Sequence, residues 1–140
     1  MELSLSQEQI KPRLEHVARL AHNVYRAYMT SVSKLSLPYD SLDPHTKESL
    51  LDGVVSVLVG AVKSPQQSHE NWLRFKADAG WIYGEELDRE RKQHPCICSF
   101  DNLPITERVK DYLFVFSVQA ANQMYEDILA ERAASAPEGS

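Results

Sequence analysis

His22, Tyr25 and Arg26 stand one helical turn apart, and so do His69, Trp72 and Lys76. Trp81, Tyr83, Lys92 and His94 make a third set, in a stretch rich in strand-forming residues. Each set puts an aromatic plane beside a cation or a hydrogen-bonding ring. Such planes stack on a purine, lysine and arginine heads neutralise phosphates, and histidine or tyrosine supplies directional hydrogen bonds. If the three segments converge, they make a nucleotide pocket. Trp72 and Trp81 would then stack on or wall the base, Arg26, Lys76 and Lys92 would meet phosphates, and His22, Tyr25, His69, Tyr83 and His94 would hydrogen-bond. The same residues also suit a plain helical core, with Tyr25, Trp72 and Trp81 buried and the bases solvated.

Other chemistry is thinly represented. The chain has no phosphate-cradling glycine loop, dinucleotide fingerprint or nucleophile elbow. His69-Glu70 lacks the second histidine of a zinc-protease helix, because position 73 is Leu73. His94, Cys96 and Cys98 are metal-ligand types, but without a second matched pair a buried structural thiol is the better reading, and no metal or cofactor is expected. An acid/base pair is imaginable among Glu70, Asp78, Glu85 and Asp88, yet a solvated charged face explains them equally. No catalytic residue is assigned, and the chain is expected not to be an enzyme.

The 140 residues fit one domain, and 43% hydrophobic residues are enough to bury a core. The net charge is −5, with both signs mixed along the length, so no basic stripe exists to neutralise a nucleic-acid backbone. The longest apolar run, Gly53 to Val62, is about half of a membrane span. The first residues lack the basic and apolar regions of a secretory signal. Cys96 and Cys98 are too close for an easy bridge, and reduced thiols suit the cytoplasm, which is the expected compartment.

The elements that must position these groups are mainly helical. Helix one is predicted from Lys11 to Ser33, with Pro12 in its first turn and a stripe running from Leu14 to Val32. A loop follows from Leu35 to Leu42. Asp43-Pro44 caps and starts helix two, and Ser64-Pro65-Gln66-Gln67 does the same for helix three, which Gly80 should end as a left-handed cap. Trp81–Tyr83 and Cys96–Cys98 are expected to pair as a ribbon around the charged excursion Glu85 to Gln93. Helix four should begin at Pro104 and reach Arg132. Its apolar run from Tyr112 to Val118 leaves almost no polar face, which predicts enclosure by the other helices or by a second subunit. The fold class is thus mainly α: a compact domain of about four helices with a small two-stranded β-ribbon between helices three and four. Residues 1–10 are expected to form an N-terminal extension, 11–132 the domain and 133–140 a disordered tail.

The order of these residues resembles the RyR domain, the repeat found in tandem pairs in ryanodine-receptor calcium channels and singly in bacterial and phage proteins. The matching positions are Ala21-His22 and Tyr25-Arg26-Ala27-Tyr28, Gly53-Val54, then Ser68-His69-Glu70 with Trp72. Gly80-Trp81-Ile82-Tyr83-Gly84 is the most specific block, followed by Asp88, Lys92, His94-Pro95-Cys96, Leu103-Pro104 and Lys110-Asp111-Tyr112-Leu113-Phe114. The resemblance spans residues 14–120. Asn23 replaces a usual glutamate, and the usual tryptophan of the loop after helix one is missing, with Pro38-Tyr39 nearby.

The resemblance implies a helical fold with a small ribbon, no enzymatic activity, and pairing of two repeats about a pseudo-twofold axis. In the receptors one repeat pair binds adenine nucleotides with stacking tryptophans, one of which matches Trp72. The expected function is therefore non-enzymatic binding of an adenine-containing signalling nucleotide such as ADP-ribose or cyclic ADP-ribose, sequestering it to block host defence signalling. A homodimer is the expected assembly, with no nucleic-acid or membrane partner. The alternative is a structural or interaction module, a homodimer with no small ligand.

Overall fold

A computed structural model describes residues 7–135. Four helices, α1 (Gln7–Ser31), α2 (Pro44–Leu58), α3 (Pro65–Asp78) and α4 (Ile105–Ala134), enclose one core. Two residue pairs, β1 (Ile82–Tyr83) and β2 (Gln93–His94), form the ribbon between α3 and α4. The expected mainly helical class with its small ribbon is what the structure shows.

The start signals work as the sequence suggests. Asp43 accepts the Thr46 backbone N–H at 2.7 Å, and Ser64 accepts that of Gln67 at 3.2 Å. Gly60 and Gly80 take φ of +83° and +89° behind α2 and α3, where a side chain would be strained. At the end of α1 a serine does the same: Ser33 has φ +59°, and Lys34 N–H reaches the Met29 carbonyl at 2.8 Å.

The boundaries differ from expectation in three places. Residues 7–10, expected in an extension, are helical, so Pro12 lies inside α1 and removes one backbone bond near its start. The helix α4 runs to Ala134, two residues into the expected tail, while residues 1–6 and 136–140 lie outside the described residues. The ribbon pairing is the larger correction: Ile82 aligns with Gln93 and Tyr83 with His94, in parallel, and Cys96–Cys98 is not a strand. Pro95 has no N–H for a ladder, the Cys96 N–H is taken by His94 Nδ1 at 3.0 Å, and Cys98 N–H turns back onto the Cys96 carbonyl at 2.9 Å. Gly84 lets the chains approach, since a Cβ there would lie 2.5 Å from Gln93 Cβ.

The core is built from small side chains, so the helices pack closely. Val17, Ala18 and Ala21 of α1 meet Val54 and Val57 of α2 and Val115, Val118 and Ala121 of α4, with Tyr39 and Val62 closing the cluster. Arg13 locks α1 to α4: its buried guanidinium donates to Asn122 at 2.7 and 2.9 Å and pairs with Glu126. Within the single chain the other helices enclose the apolar run of α4 only in part. Val115 and Val118 are fully buried, but Tyr112 and Phe116 are 48% and 56% exposed. Among the described residues no helix is long and apolar enough to cross a membrane.

Candidate functional site

The helix α3 presents Ser68, His69, Trp72 and Lys76 at three- and four-residue spacings, so one face of one helix carries the polar and aromatic groups together. That face forms the wall of a cavity of about 550 Å³, closed by α1, α2, the loop before α2, the segment after β1 and the first turns of α4. The volume lies within the range of small-molecule sites.

Trp72 is the centre of the wall. The His69 ring lies nearly parallel to it, at 5.7 Å between centroids and 22°, and the His94 ring meets it edge-on at 5.0 Å. His69 is fixed in turn, because its Nε2–H donates to the Cys98 carbonyl at 2.7 Å while Nδ1 faces Asp111 at 3.9 Å. His22 is held similarly on α1, by its Nε2 to the Leu37 carbonyl at 2.6 Å, and it stacks on Tyr25. These rings are pinned before any ligand arrives.

Lys76 is 9% exposed and has no carboxylate within 4.0 Å among the described residues. Among the described residues the one hydrogen-bond partner of its ammonium is His45 Nε2 at 3.1 Å. Burial holds the Lys76 ammonium below its ordinary pKa, with Arg89 adding repulsion. A buried cation with unused donors is costly unless something pairs with it. Burial likewise depresses His94 and His45, so both rings are neutral at pH 7.

The opposite end of the wall is acidic. Burial raises Asp111 to about 7, with Ser68 pulling the other way and Glu107 adding to the rise. Glu107 itself accepts from Lys110 at 2.9 Å, and Lys110 lies 5.8 Å from the Tyr25 ring. Lys76 and Arg89, the latter 3.6 Å from Asp43, thus stand at one end of the cavity, and Asp111 with the Glu107–Lys110 pair at the other.

Six of the ten residues expected at a ligand site line this cavity: His22, Tyr25, His69, Trp72, Lys76 and His94. The other four stand elsewhere. Arg26 follows Tyr25 around α1, and its Nε is buried without a partner. Trp81 is buried against His45, parallel at 9° and 6.2 Å, and supports Lys76 from behind. Tyr83 is exposed, as is its neighbour Ile82, so neither side chain of β1 packs on the helices. Lys92 spends its ammonium on the Ala79 carbonyl at 2.8 Å, closing the end of α3. Arg89, Glu107, Lys110 and Asp111 line the cavity without being among the expected site residues, although Lys110 and Asp111 belong to the positions that resemble the RyR domain. A signal existed for three of them: positions 107, 110, 111 and 114 share one face of α4 with the buried Val118. Charged residues on a buried face point to an interior polar site.

The thiol of Cys96 is pushed up to about 11 by burial, which leaves it neutral and a poor nucleophile. Among the described residues no three His, Cys, Asp or Glu side chains gather closely enough to hold a metal ion. Residues 61–115 match the family model described as RyR domain. That segment carries α3, the ribbon and the start of α4, and so holds Trp72, Lys76, His94 and Asp111.

Proposed function

We propose that this chain, whose residues 61–115 match the RyR domain, binds an adenine-containing nucleotide in the cavity walled by Trp72, without chemical turnover. The observation that supports this most is Lys76, a buried ammonium beside a stacking indole, short of hydrogen-bond acceptors and opening onto a volume of ligand size. A phosphate would supply the missing charge and acceptors, while the base takes the Trp72 face. Arg89 at the rim replaces Arg26 and Lys92 as the second cation of this reading. Pinned rings lower the ordering cost of binding, which suits tight capture and hence sequestration of the ligand.

The test is a fluorescence titration with ATP, ADP-ribose and cyclic ADP-ribose, for which the chain's two tryptophans are native reporters. Binding should quench the emission, and Trp72→Ala should abolish affinity while Trp81 still reports a folded protein. Ligand at a hundred times its Kd should also add about 2.7 kcal/mol. An unchanged Kd for Trp72→Ala would refute the pocket.

One observation favours the interaction-module alternative. Phe100, Tyr112 and Phe116 form a chain of ring contacts at 6.5 and 6.2 Å, with Tyr112 and Phe116 exposed. On that reading the chain is a homodimer through α4, and Phe116→Glu makes it monomeric in light scattering without touching the cavity.

A further inference from the structure

We propose that Asp111 reads the hydrogen-bonding edge of the bound base and sets the choice of adenine over guanine; this deepens, and rests on, the nucleotide reading above. The argument begins with order in space. From His69 to Lys76 the wall helix advances about 10 Å, at 1.5 Å per residue. Asp111 stands beside His69 at the near end, the Trp72 plane lies in the middle, and the Lys76 ammonium lies at the far end. A nucleotide with its base on Trp72 and its phosphates at Lys76 directs the remaining edge of the base towards Asp111. The other carboxyls lining the cavity are engaged elsewhere: Glu107 accepts from Lys110 at 2.9 Å, Asp52 from Asn71 at 3.0 Å, and Asp43 caps α2 through Thr46 at 2.7 Å. Asp111 accepts from the Ser68 hydroxyl, has His69 Nδ1 at 3.9 Å, beyond hydrogen-bond reach, and keeps its side chain 17% exposed.

The charge state of Asp111 decides which edge it fits. A neutral carboxyl has one donor and one acceptor side by side. That is the complement of adenine, which offers the N1 acceptor beside the N6 donor. A carboxylate accepts only, which is the complement of guanine with its adjacent N1–H and N2–H donors. Burial raises Asp111 to about 7, so both forms are accessible near neutrality. The groups facing it are Ser68, which hydrogen-bonds to it, and His69 from α3, and Glu107 and Lys110 from α4. Across the same cavity stand Tyr25 of α1, Asp52 of α2, and His94 and Cys96 at and after β2.

The experiment measures ADP and GDP affinities of the full chain from pH 5.5 to 8.5. Both ligands carry the same phosphates, so titration of Lys76, His94 or the diphosphate moves both affinities alike, and their ratio isolates the base edge. The ADP preference should be roughly tenfold or more at low pH, the worth of one paired edge, and should shrink or invert above neutrality. Asp111→Asn, a fixed neutral donor–acceptor of the same shape, should keep the ADP preference at every pH. A ratio that does not move with pH in the native chain, or that still moves in Asp111→Asn, overturns the proposal while leaving the pocket standing. If neither nucleotide binds at any pH, both readings fall.

Discussion

The Lys76 ammonium stands 4.7 Å from the centroid of the Trp81 ring, and the indole, itself buried, supports the cation from behind. The arrangement keeps a charge where solvent is scarce, so it costs stability, and on the proposed reading it meets the phosphates of the ligand. Lys76→Met keeps the stem and removes the charge. We expect it to melt higher by a few degrees, about 1 kcal/mol, and to lose nucleotide affinity tenfold or more. The sign follows from the depressed pKa: the penalty on the charged form is present in full below the folded value, and it fades as pH rises from there to the ordinary 10.5. Calorimetric melting beside a binding titration checks both halves; a variant that melts lower would show that the ammonium is satisfied in the free protein.

Asp111 gives the converse pH dependence. Its folded pKa, about 7, lies above the ordinary 3.8, so the native state holds this proton more tightly than the unfolded chain. Its contribution to stability is complete at low pH and is lost as pH rises between those values. Asp111→Asn removes the titration. The variant should gain on the native chain steadily as pH rises from about 4 to 7, by about 1–2 kcal/mol in denaturant melts, and by no more above that.

The lock between α1 and α4 rests on one guanidinium. Arg13 is 3% exposed and faces Asn122 and Glu126, with Tyr125 under its head at 5.4 Å. Glu126→Ala should cost about 1–2 kcal/mol, discounted because Glu126 is 39% exposed. Arg13→Ala should cost more, about 3 kcal/mol, because packing goes with the charge. Urea melts of the two variants rank them; equal costs would show that the stem of Arg13 contributes nothing.

Gly53 is a packing glycine. A Cβ there would stand 2.9 Å from the Phe114 ring, and both residues line the cavity. Gly53→Ala should therefore destabilise the fold by about 1–3 kcal/mol despite the better helix propensity of alanine, and should weaken nucleotide binding as Phe114 shifts. Pairing it with Phe114→Leu should recover most of the loss.

How much of this was legible beforehand follows from the range of the forces. Helix starts at Asp43-Pro44 and Ser64-Pro65, the left-handed Gly80 and the apolar faces of α2 and α4 are local consequences of capping, φ preference and periodicity, so adjacent residues suffice to read them. The turn-spaced set His69, Trp72 and Lys76 was legible for the same reason, since one helix orients all three. Register in the ribbon was not. Cys96–Cys98 has the composition of a strand, but whether it pairs depends on Pro95, on the His94 ring and on how close Gly84 comes to Gln93. The division of Trp72 from Trp81 was hidden as well: one faces a cavity and the other backs it, and only the packing of α2 and the ribbon against α3 distinguishes them. Asp111 is the clearest case. The sequence by itself determined that a carboxyl lies on the buried face of α4. Only tertiary structure decided that it stands beside His69, because burial and the position of a facing helix are sums over distant contacts, and the raised pKa of that carboxyl exists only once those contacts have excluded water.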